Sequence, residues 1–379
     1  MNFFFGFLTC YLFTFFLGSL FSNFKFKTIT EKFISSILIS LWLSWILVIF
    51  IKIYSLNFNF YILFFVTASI LIFNYFKKKE YLDLNSCFYF FTYFFIFFLI
   101  FILIIIKDYL PVFVHGDAVF SFNFWSWKLY SNTFENFENV GYPIFWPGLW
   151  SLIYKGIGSF KNWIIPNISL MIIPITAILS IYSYFEKGYL KIFLLNIFFL
   201  FFLFFILSNR FLIGYMDIPV TLMTYISLSL LFVFYIDNDK KYFYLASIAV
   251  AIASVTKQQS FILPFLFLIV TFYNYFIKKI SFRDLLLGNL IAYSHLLLFI
   301  FIFEDTNIID IVINIFTEKY GNMSYLGDYS SQHIKNNTFI YGLEVLSKRI
   351  TLFVILLFLT FSLINFYKPS ANKLSLFGL

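Results

Sequence analysis

Asp117, directly after a glycine, is the first residue of this chain whose type and position suit chemistry. It lies in the interval 107–162, between two apolar segments and just before a run of aromatic residues. A carboxylate there can act as a general base or help to bind a divalent metal ion. It can equally be a solvated loop acid or the N-cap of a helix. His115, two positions earlier, could hydrogen-bond a phosphate or bind a metal, although a single loop histidine more often does neither.

A second candidate site lies in the short interval 208–217, between two further apolar segments. Arg210 and Asp217 bracket this turn, which continues through Pro219 into the next segment. The planar guanidinium group of arginine suits bidentate recognition of phosphate. The alternatives are an interfacial anchor for Arg210 and a helix cap for Asp217, which the proline at a helix start favours. The sequence leaves both interpretations open.

A third candidate site is Lys257, followed by Gln258 and Gln259, where two apolar runs leave almost no room for a loop. The preceding run of 15 residues, 242–256, rises only about 22 Å as a helix, which is less than the hydrocarbon thickness. Lys257 is therefore predicted to be recessed into the membrane, where it could bind a phosphate at the lipid interface. A snorkelling lysine would explain Lys257 but not the two amides.

The composition excludes a soluble protein and gives the class of the chain. Of the 379 residues, 62% are hydrophobic and 12% are charged, and the mean hydropathy is +0.91. Such a chain has too little polar surface for a soluble domain. The net charge of +8 comes from basic residues in short turns, so no nucleic-acid partner is predicted. Cys10 and Cys87 form neither a disulfide framework nor a metal cluster.

The sequence predicts an all-α fold, a polytopic transmembrane helical bundle of about 11 spans. Apolar runs of roughly 15–23 residues are long enough to cross a bilayer core. They lie at 3–22, 33–53, 58–76, 86–106, 163–185, 190–207, 218–236, 242–256, 258–276, 285–303 and 350–366.

Basic residues mark alternate turns between these runs, and cytoplasmic loops are enriched in lysine and arginine. The basic positions are Lys25, Lys27, Lys32, Lys77, Lys78, Lys79, Lys187, Lys191, Lys240, Lys241, Lys278, Lys279, Arg283, Lys368 and Lys373. Their alternation predicts an N-terminus outside the membrane and a C-terminus in the cytoplasm. Asp117, Arg210, Asp217 and Lys257 then share the outer face.

The whole chain, 1–379, is predicted to be a single transmembrane domain with no separate soluble domain. Its two long outer loops are 107–162 and 304–349. In the first loop Phe120, Phe124, Trp127 and Tyr130 recur at three- and four-residue spacing. This spacing is typical of an amphipathic helix lying in the membrane interface.

Three short motifs, in this order, resemble those of the GT-C superfamily of integral-membrane glycosyltransferases. The first is Gly116-Asp117-Ala118 followed by Gly141-Tyr142-Pro143, the second is Gly214-Tyr215-Met216-Asp217-Ile218-Pro219, and the third is Thr256-Lys257-Gln258-Gln259. Within the superfamily they are most similar to bacterial relatives of the protein mannosyltransferases. The resemblance covers roughly residues 107–265. The chain differs from the family pattern in that no second acid adjoins Asp117 and Gln259-Ser260 stands where many relatives have Glu-Gly.

The resemblance implies a transferase in the bacterial cytoplasmic (inner) membrane that takes a sugar from a polyprenyl-phosphate donor. The acceptor would be a lipid-linked glycan, and a protein is the less favoured alternative. Asp117 would be the catalytic base. Arg210 and Lys257 would bind the donor phosphate, and a weaker set would contact substrate, namely His115, Tyr142, Asp217, Gln258 and Gln259. The resemblance implies no certain cofactor, and a divalent cation at Asp117 stays open.

Two other functions are compatible with outward-facing cations. A transporter or flippase of a lipid-linked saccharide would also bind a phosphate, but its charges are expected near the membrane midplane. A polysaccharide polymerase or ligase would use arginines in long outer loops, and Lys348-Arg349 is the one sequence feature that favours it.

Overall fold

The computed structural model describes residues 2–22, 28–54, 122–133, 144–160, 163–190 and 216–303, with a few single positions between 69 and 197. The chain divides into two compact units, Met1–Asp305 and Thr306–Leu379. All described residues belong to the first unit. The predicted outer loop 304–349 lies outside the described residues, so the single-domain arrangement stays a prediction.

The described residues are almost entirely helical and include no β-strand, which confirms the all-α class for this part of the chain. The helices are α1 Asn2–Tyr11, a π-helical segment Leu12–Phe16, α2 Leu17–Ser22, α3 Ile29–Tyr54, α4 Phe124–Tyr130, α5 Phe145–Ile157, α6 Ile164–Ser169, α7 Ile172–Glu186, α8 Asp217–Asp237, α9 Lys240–Ser254, a 3-10 turn Gln258–Ile262, α10 Leu263–Phe276 and α11 Phe282–Phe303.

Four helical stretches in the described part of the chain are long and apolar enough to cross a membrane. They are Thr30–Lys52, Ile164–Tyr184, Asp217–Asp237 and Phe282–Ile300. They match the predicted spans 33–53, 163–185, 218–236 and 285–303. The predicted spans 3–22, 242–256 and 258–276 correspond to shorter helical stretches. The remaining four, 58–76, 86–106, 190–207 and 350–366, lie wholly or mostly outside the described residues.

The first two predicted spans form an antiparallel helical hairpin. The Ser44 hydroxyl donates to the carbonyl oxygen of Phe13 at 2.7 Å, and the Gly18 backbone N–H donates to the Ser40 hydroxyl at 2.6 Å. A Cβ atom at Gly18 would collide with the backbone of Ser36. Glycine at this position therefore permits the close approach of α2 and α3.

A buried group of charges joins four helices at one end of this bundle. Glu31 on α3 is only 4% exposed. It accepts a hydrogen bond from the Tyr242 hydroxyl and lies 3.4 Å from the Lys241 ammonium and 3.7 Å from that of Lys187. Lys187 also pairs with Asp237 at the end of α8. We call this side of the bundle the Glu31 end.

Other predicted basic turns reach the same end. The Lys240 ammonium lies 2.5 Å from the Asp284 carboxylate, and the Lys279 ammonium donates to the Tyr235 carbonyl oxygen at 3.1 Å. The basic turns around positions 187, 240 and 279 thus meet at one end, as their alternation predicts. Which side of a membrane this end faces stays a prediction.

Helix α5 is part of the bundle core, which differs from the interpretation of 107–162 as a loop. Eleven of its 13 residues are buried. A Cβ atom on Gly148 would lie 2.8 Å from Val48 of α3, and one on Gly156 would collide with Thr9 of α1. The two glycines therefore allow α5 to pack against the helical hairpin.

The helix predicted from the aromatic spacing is present as α4, but it is shorter and buries another face. Its buried residues are Ser126 and Leu129, whereas Phe124 is 38% exposed. The Tyr154 hydroxyl on α5 donates to Asn123 Oδ1 at 2.6 Å and fixes the start of α4. Among the other predicted aromatic residues, Trp127 and Tyr130 are partly buried and both contact the Phe160 ring.

Candidate functional site

Lys257 and Asp217 form an ion pair at the end of the bundle opposite Glu31. Lys257 Nζ lies 2.5 Å from Asp217 Oδ1, and the two side chains are 15% and 16% exposed. Asp217 begins α8, whose other end carries Asp237 of the Glu31 cluster. A helix of 21 residues is about 31 Å long, so the two charge groups are separated by nearly a membrane thickness. We call this side the Lys257 end.

The local backbone fixes Lys257 at the bottom of a very short turn. Helix α9 has 15 residues and ends at Ser254. Lys257 is extended, with φ −153° and ψ 149°, before the 3-10 turn begins. Its N–H donates to the Ser260 hydroxyl at 3.3 Å, and the Ser260 N–H donates back to its carbonyl oxygen at 2.9 Å. The predicted recessed position of Lys257 depends on a short preceding helix, and α9 is that short, with 15 residues.

The pair decides between interpretations that the sequence left open. Asp217 is not a helix cap, because Met216 holds the cap position and the Asp217 carboxylate contacts Lys257 instead. Lys257 does not extend into solvent as a snorkelling side chain would. Its ammonium group lies against a carboxylate on the neighbouring helix. Asp217 of the second candidate site and Lys257 of the third are therefore adjacent in space.

Burial explains why the two residues are found as a pair. An unpaired charge in a low-dielectric setting is costly, so a mostly buried ammonium group needs a carboxylate partner. Ammonium nitrogen carries three donors, and Asp217 accepts from one of them. The carboxylate thus holds the Lys257 charge in place and orients its nitrogen at the end of the bundle.

An aromatic layer lies directly below this turn. The backbone N–H of Phe145, at the start of α5, donates to the Val255 carbonyl oxygen at 3.2 Å. The Phe145 ring contacts Trp45 on α3 and Trp146, with centroids 5.9 Å and 5.2 Å apart. All three rings are buried. The Lys257 turn therefore packs against buried aromatic side chains.

His295 lies in the same layer of buried rings. It is fully buried, stacks on Trp42 at 5.9 Å between ring centroids, and also contacts Phe145. Its Nδ1 lies 3.3 Å from the Ser294 hydroxyl. Its Nε2 has no hydrogen-bond partner among the described residues. His295 is therefore a packed core residue, and among the described residues hydrogen bonding satisfies only one of its ring nitrogens.

The other predicted site residues lie outside the described part of the chain or are described only by their backbone. His115, Asp117, Tyr142 and Arg210 lie outside the described residues. Gln258 and Gln259 open the 3-10 turn beside Lys257, and only their backbone is described. Within the described ranges, no group of three His, Cys, Asp or Glu side chains could hold a metal ion. The metal hypothesis concerns Asp117 and stays a prediction.

Sequence reasoning missed the Glu31 cluster and the burial of α5. Glu31 stands next to Lys32 at the edge of a predicted span, which is typical of a solvated turn. Its partners lie on helices more than 150 positions away in the chain. The signal that could have indicated α5 was its composition, because the segment FWPGLWSLI has no charged residue.

The comparisons with known proteins do not assign the chain to a family. No protein-family model matches the sequence, and neither the curated proteins nor the solved structures include a match. The similarity to GT-C glycosyltransferases therefore depends on the motifs around Asp117, Asp217 and Lys257.

Proposed function

We propose that this chain is a membrane glycosyltransferase of the GT-C type that acts on the outer face of a bacterial cytoplasmic membrane. It transfers a hexosyl or pentosyl group from a polyprenyl-phosphate donor to a lipid-linked glycan, in the biosynthesis of a cell-envelope polysaccharide. The Lys257 end of the bundle is the donor side.

The observation that carries this proposal is the Lys257–Asp217 pair. Its nitrogen–oxygen distance is 2.5 Å, and each side chain is about one-sixth exposed. A cation held at the end of a short helix lies near the depth of a lipid phosphate, since α9 rises only about 22 Å. The position at one end of the bundle favours an enzyme over a transporter, whose ion and substrate sites are expected near the midplane.

The proposed reaction uses three residues in defined roles. The acceptor hydroxyl attacks the anomeric carbon of the sugar, and its proton passes to the Asp117 carboxylate. The bond between that carbon and the phosphate oxygen breaks, and the polyprenyl phosphate leaves with the electron pair. Lys257 and Arg210 stabilise the charge that grows on the leaving phosphate, because fixed cations act most strongly on charge that develops in the transition state.

The proposal is tested by transfer in proteoliposomes that contain the purified chain, a radiolabelled polyprenyl-phosphate sugar and a lipid-linked acceptor. Lys257→Gln is compared with Lys278→Gln, an exposed lysine at the Glu31 end. If Lys257 binds the phosphate equally in the ground and transition states, the KM for donor rises and kcat stays the same. If it meets developing charge, kcat falls as well.

We expect at least one constant to change in Lys257→Gln and neither in Lys278→Gln. Transfer with unchanged constants in Lys257→Gln would remove this residue from the site. Movement of the intact donor across the bilayer without sugar transfer would replace the enzyme by the flippase alternative.

A further inference from the structure

Three basic side chains lie around the turn between α10 and α11, at the Glu31 end of the bundle. They are Lys278, Lys279 and Arg283, and we call this segment the basic turn. Lys278 and Arg283 are exposed, and Lys279 is partly buried. In the sequence these residues indicated only the orientation of the chain. The structure shows in addition what surrounds them.

The backbone of the basic turn leads its two lysines in different directions. The Lys278 N–H donates to the Tyr275 carbonyl oxygen at 2.9 Å, and the Lys279 N–H donates to the Asn274 carbonyl oxygen at 3.0 Å. Lys278 has φ 58°, the left-handed conformation that glycine usually adopts after a helix. The Lys279 ammonium group donates to the Tyr235 carbonyl oxygen at 3.1 Å. Lys279 thus ties the turn to α8, whereas the Lys278 side chain stays at the surface.

The acid beside the basic turn, Asp284, does not neutralise these charges. Its carboxylate is only 6% exposed and lies 2.5 Å from the Lys240 ammonium. It also accepts from the Ser281 hydroxyl at 2.6 Å and from the Ser281 N–H at 2.9 Å. No ion pair joins Lys278 or Arg283 to another described residue. The two exposed cations therefore keep their charges unbalanced by any described carboxylate.

Other lysines at the Glu31 end differ in this respect. Lys187 pairs with Asp237, and the Lys241 ammonium lies 3.4 Å from the Glu31 carboxylate. These pairs join helices to one another and are largely buried. The charges of the basic turn have no such structural use, so water or an anion from outside the chain has to accommodate them.

Apolar rings flank the basic turn and are as exposed as its charges. Phe276 at the end of α10 is 75% exposed, and Phe282 at the start of α11 is 59% exposed. The Tyr275 ring contacts both, with centroids 6.0 Å and 6.1 Å apart. Exposed aromatic rings beside lysine and arginine are typical of the boundary between the hydrocarbon and the headgroups of a membrane.

The exposed apolar surface continues from the turn along both helices. Its members are Phe265, Leu266, Ile269 and Phe272 on α10 and Leu286 and Leu290 on α11. A helix of 14 residues, such as α10, is about 21 Å long. One leaflet of a bilayer contributes about 15 Å of hydrocarbon. The two helix faces are therefore long enough to accommodate an acyl chain that begins at the basic turn.

An anionic phospholipid matches both parts of this surface. Its phosphate complements the unbalanced cations, and its acyl chains cover the apolar faces. A free phosphate would use only the charges. A soluble acidic partner would likewise leave the apolar faces uncovered, and a zwitterionic lipid would bring a positive group close to the lysines.

We propose that the basic turn binds the headgroup of an anionic phospholipid in the leaflet at the Glu31 end, with the acyl chains on the exposed faces of α10 and α11. Lys278 and Arg283 donate to the phosphate oxygens. Lys279, which is engaged with Tyr235, contributes its charge. This lipid site lies at the end of the bundle opposite Lys257, so lipid binding and sugar transfer are independent of each other.

The test is a lipid titration of the purified full chain in an uncharged detergent, with the bound lipids counted by native mass spectrometry. The probes are dioleoyl phosphatidylglycerol, which is anionic, and dioleoyl phosphatidylcholine, which is zwitterionic. We expect phosphatidylglycerol to bind more tightly than phosphatidylcholine. Lys278→Gln and Arg283→Gln should each weaken its binding about fivefold, as for the loss of one basic residue near an anionic surface. Lys278→Arg keeps the charge and should retain binding.

Lys155→Gln is the matched control, because it makes the same change of charge on α5, outside the basic turn. It should bind phosphatidylglycerol like the parent. An equal loss in Lys155→Gln would show that net charge determines binding, and would overturn the proposal. Parental affinity in the Lys278→Gln/Arg283→Gln double variant, with unchanged thermal unfolding, would overturn it as well, as would equal binding of the two lipids. Excess inorganic phosphate should leave the lipid bound, and complete displacement would overturn the role of the apolar faces.

Discussion

The Phe145 backbone N–H donates to the Val255 carbonyl oxygen at 3.2 Å, and this bond joins the start of α5 to the end of α9. Phe145 follows the proposed base Asp117 by 28 positions (145 − 117), and Val255 precedes Lys257 by two. The contact ties the segment that follows Asp117 to the turn that positions Lys257. The bond thus holds α5 and the Lys257 turn together at the Lys257 end of the bundle.

The proposed base is tested by Asp117→Asn, which keeps the shape of the side chain and removes its basicity. We expect transfer to fall at least about a hundredfold, the scale for loss of a general base, with normal membrane insertion. Asp108→Asn, in the same interval, is the control and should retain activity. Near-parental transfer by Asp117→Asn would contradict the assignment. If Asp117 binds a metal ion instead, a chelator should abolish activity and a divalent ion should restore it.

The Lys257–Asp217 pair predicts a strong coupling between two substitutions. Lys257→Gln and Asp217→Asn each leave a mostly buried group without its partner, so each should lower the free energy of unfolding by about 1–3 kcal/mol. The double variant removes both charges and should be destabilised by less than the sum of the two. Thermal unfolding in detergent gives the stability of the parent, the two single variants and the double variant. Additive effects would mean that the two side chains do not interact.

The Glu31 cluster predicts a large loss of stability on Glu31→Gln. The glutamine oxygen can still accept from Tyr242, but Lys187 and Lys241 lose a buried counterion. Removing one partner of a buried ion pair costs about 3–5 kcal/mol. Asp239→Asn is the control, since its side chain is 39% exposed and asparagine caps a helix equally well. The free energy of unfolding, measured with denaturant, should be much lower for Glu31→Gln than for Asp239→Asn. Equal free energies for the two variants would contradict the stabilising role of the cluster.

Lys241 gives this end of the bundle a predicted dependence on alkaline pH. Burial acts to lower its pKa, but the hydrogen bond to Asp239 and the charges of Glu31 and Asp239 outweigh it and raise the pKa above 10.5. The stability that this lysine contributes is then complete below its ordinary pKa and is lost as pH rises through the folded-state value. Between about pH 8 and pH 12, the free energy of unfolding should decline less steeply for Lys241→Gln than for the parent. Parallel curves would show that Lys241 does not contribute.

The orientation of the bundle is tested by labelling cysteines with a membrane-impermeant reagent. Cys10 and Cys87 are first replaced by alanine. Ser131→Cys at the end of α4 and Arg283→Cys at the start of α11 then introduce exposed thiols at opposite ends. In intact cells we expect label at position 131 and, only after permeabilisation, at position 283. The reverse pattern would place the Lys257 end in the cytoplasm.

Local sequence determined the class of the protein and most of its described helices. Apolar runs predicted the helices that begin at Ile29, Asp217 and Phe282, because burial in hydrocarbon and helix length are properties of one segment. The shortness of the run 242–256 likewise indicated a recessed Lys257 before any contact was known.

Only the tertiary structure decided which of these residues meet. The Lys257–Asp217 pair spans 40 positions and the Lys241–Glu31 pair spans 210, and such distances depend on how α3, α8 and α9 pack. The same holds for α5, whose sequence is apolar enough for either an interface or a core. Gly148 and Gly156 let it approach α3 and α1 closely, and close packing of helices at small residues is a property of the partners together, not of either helix alone.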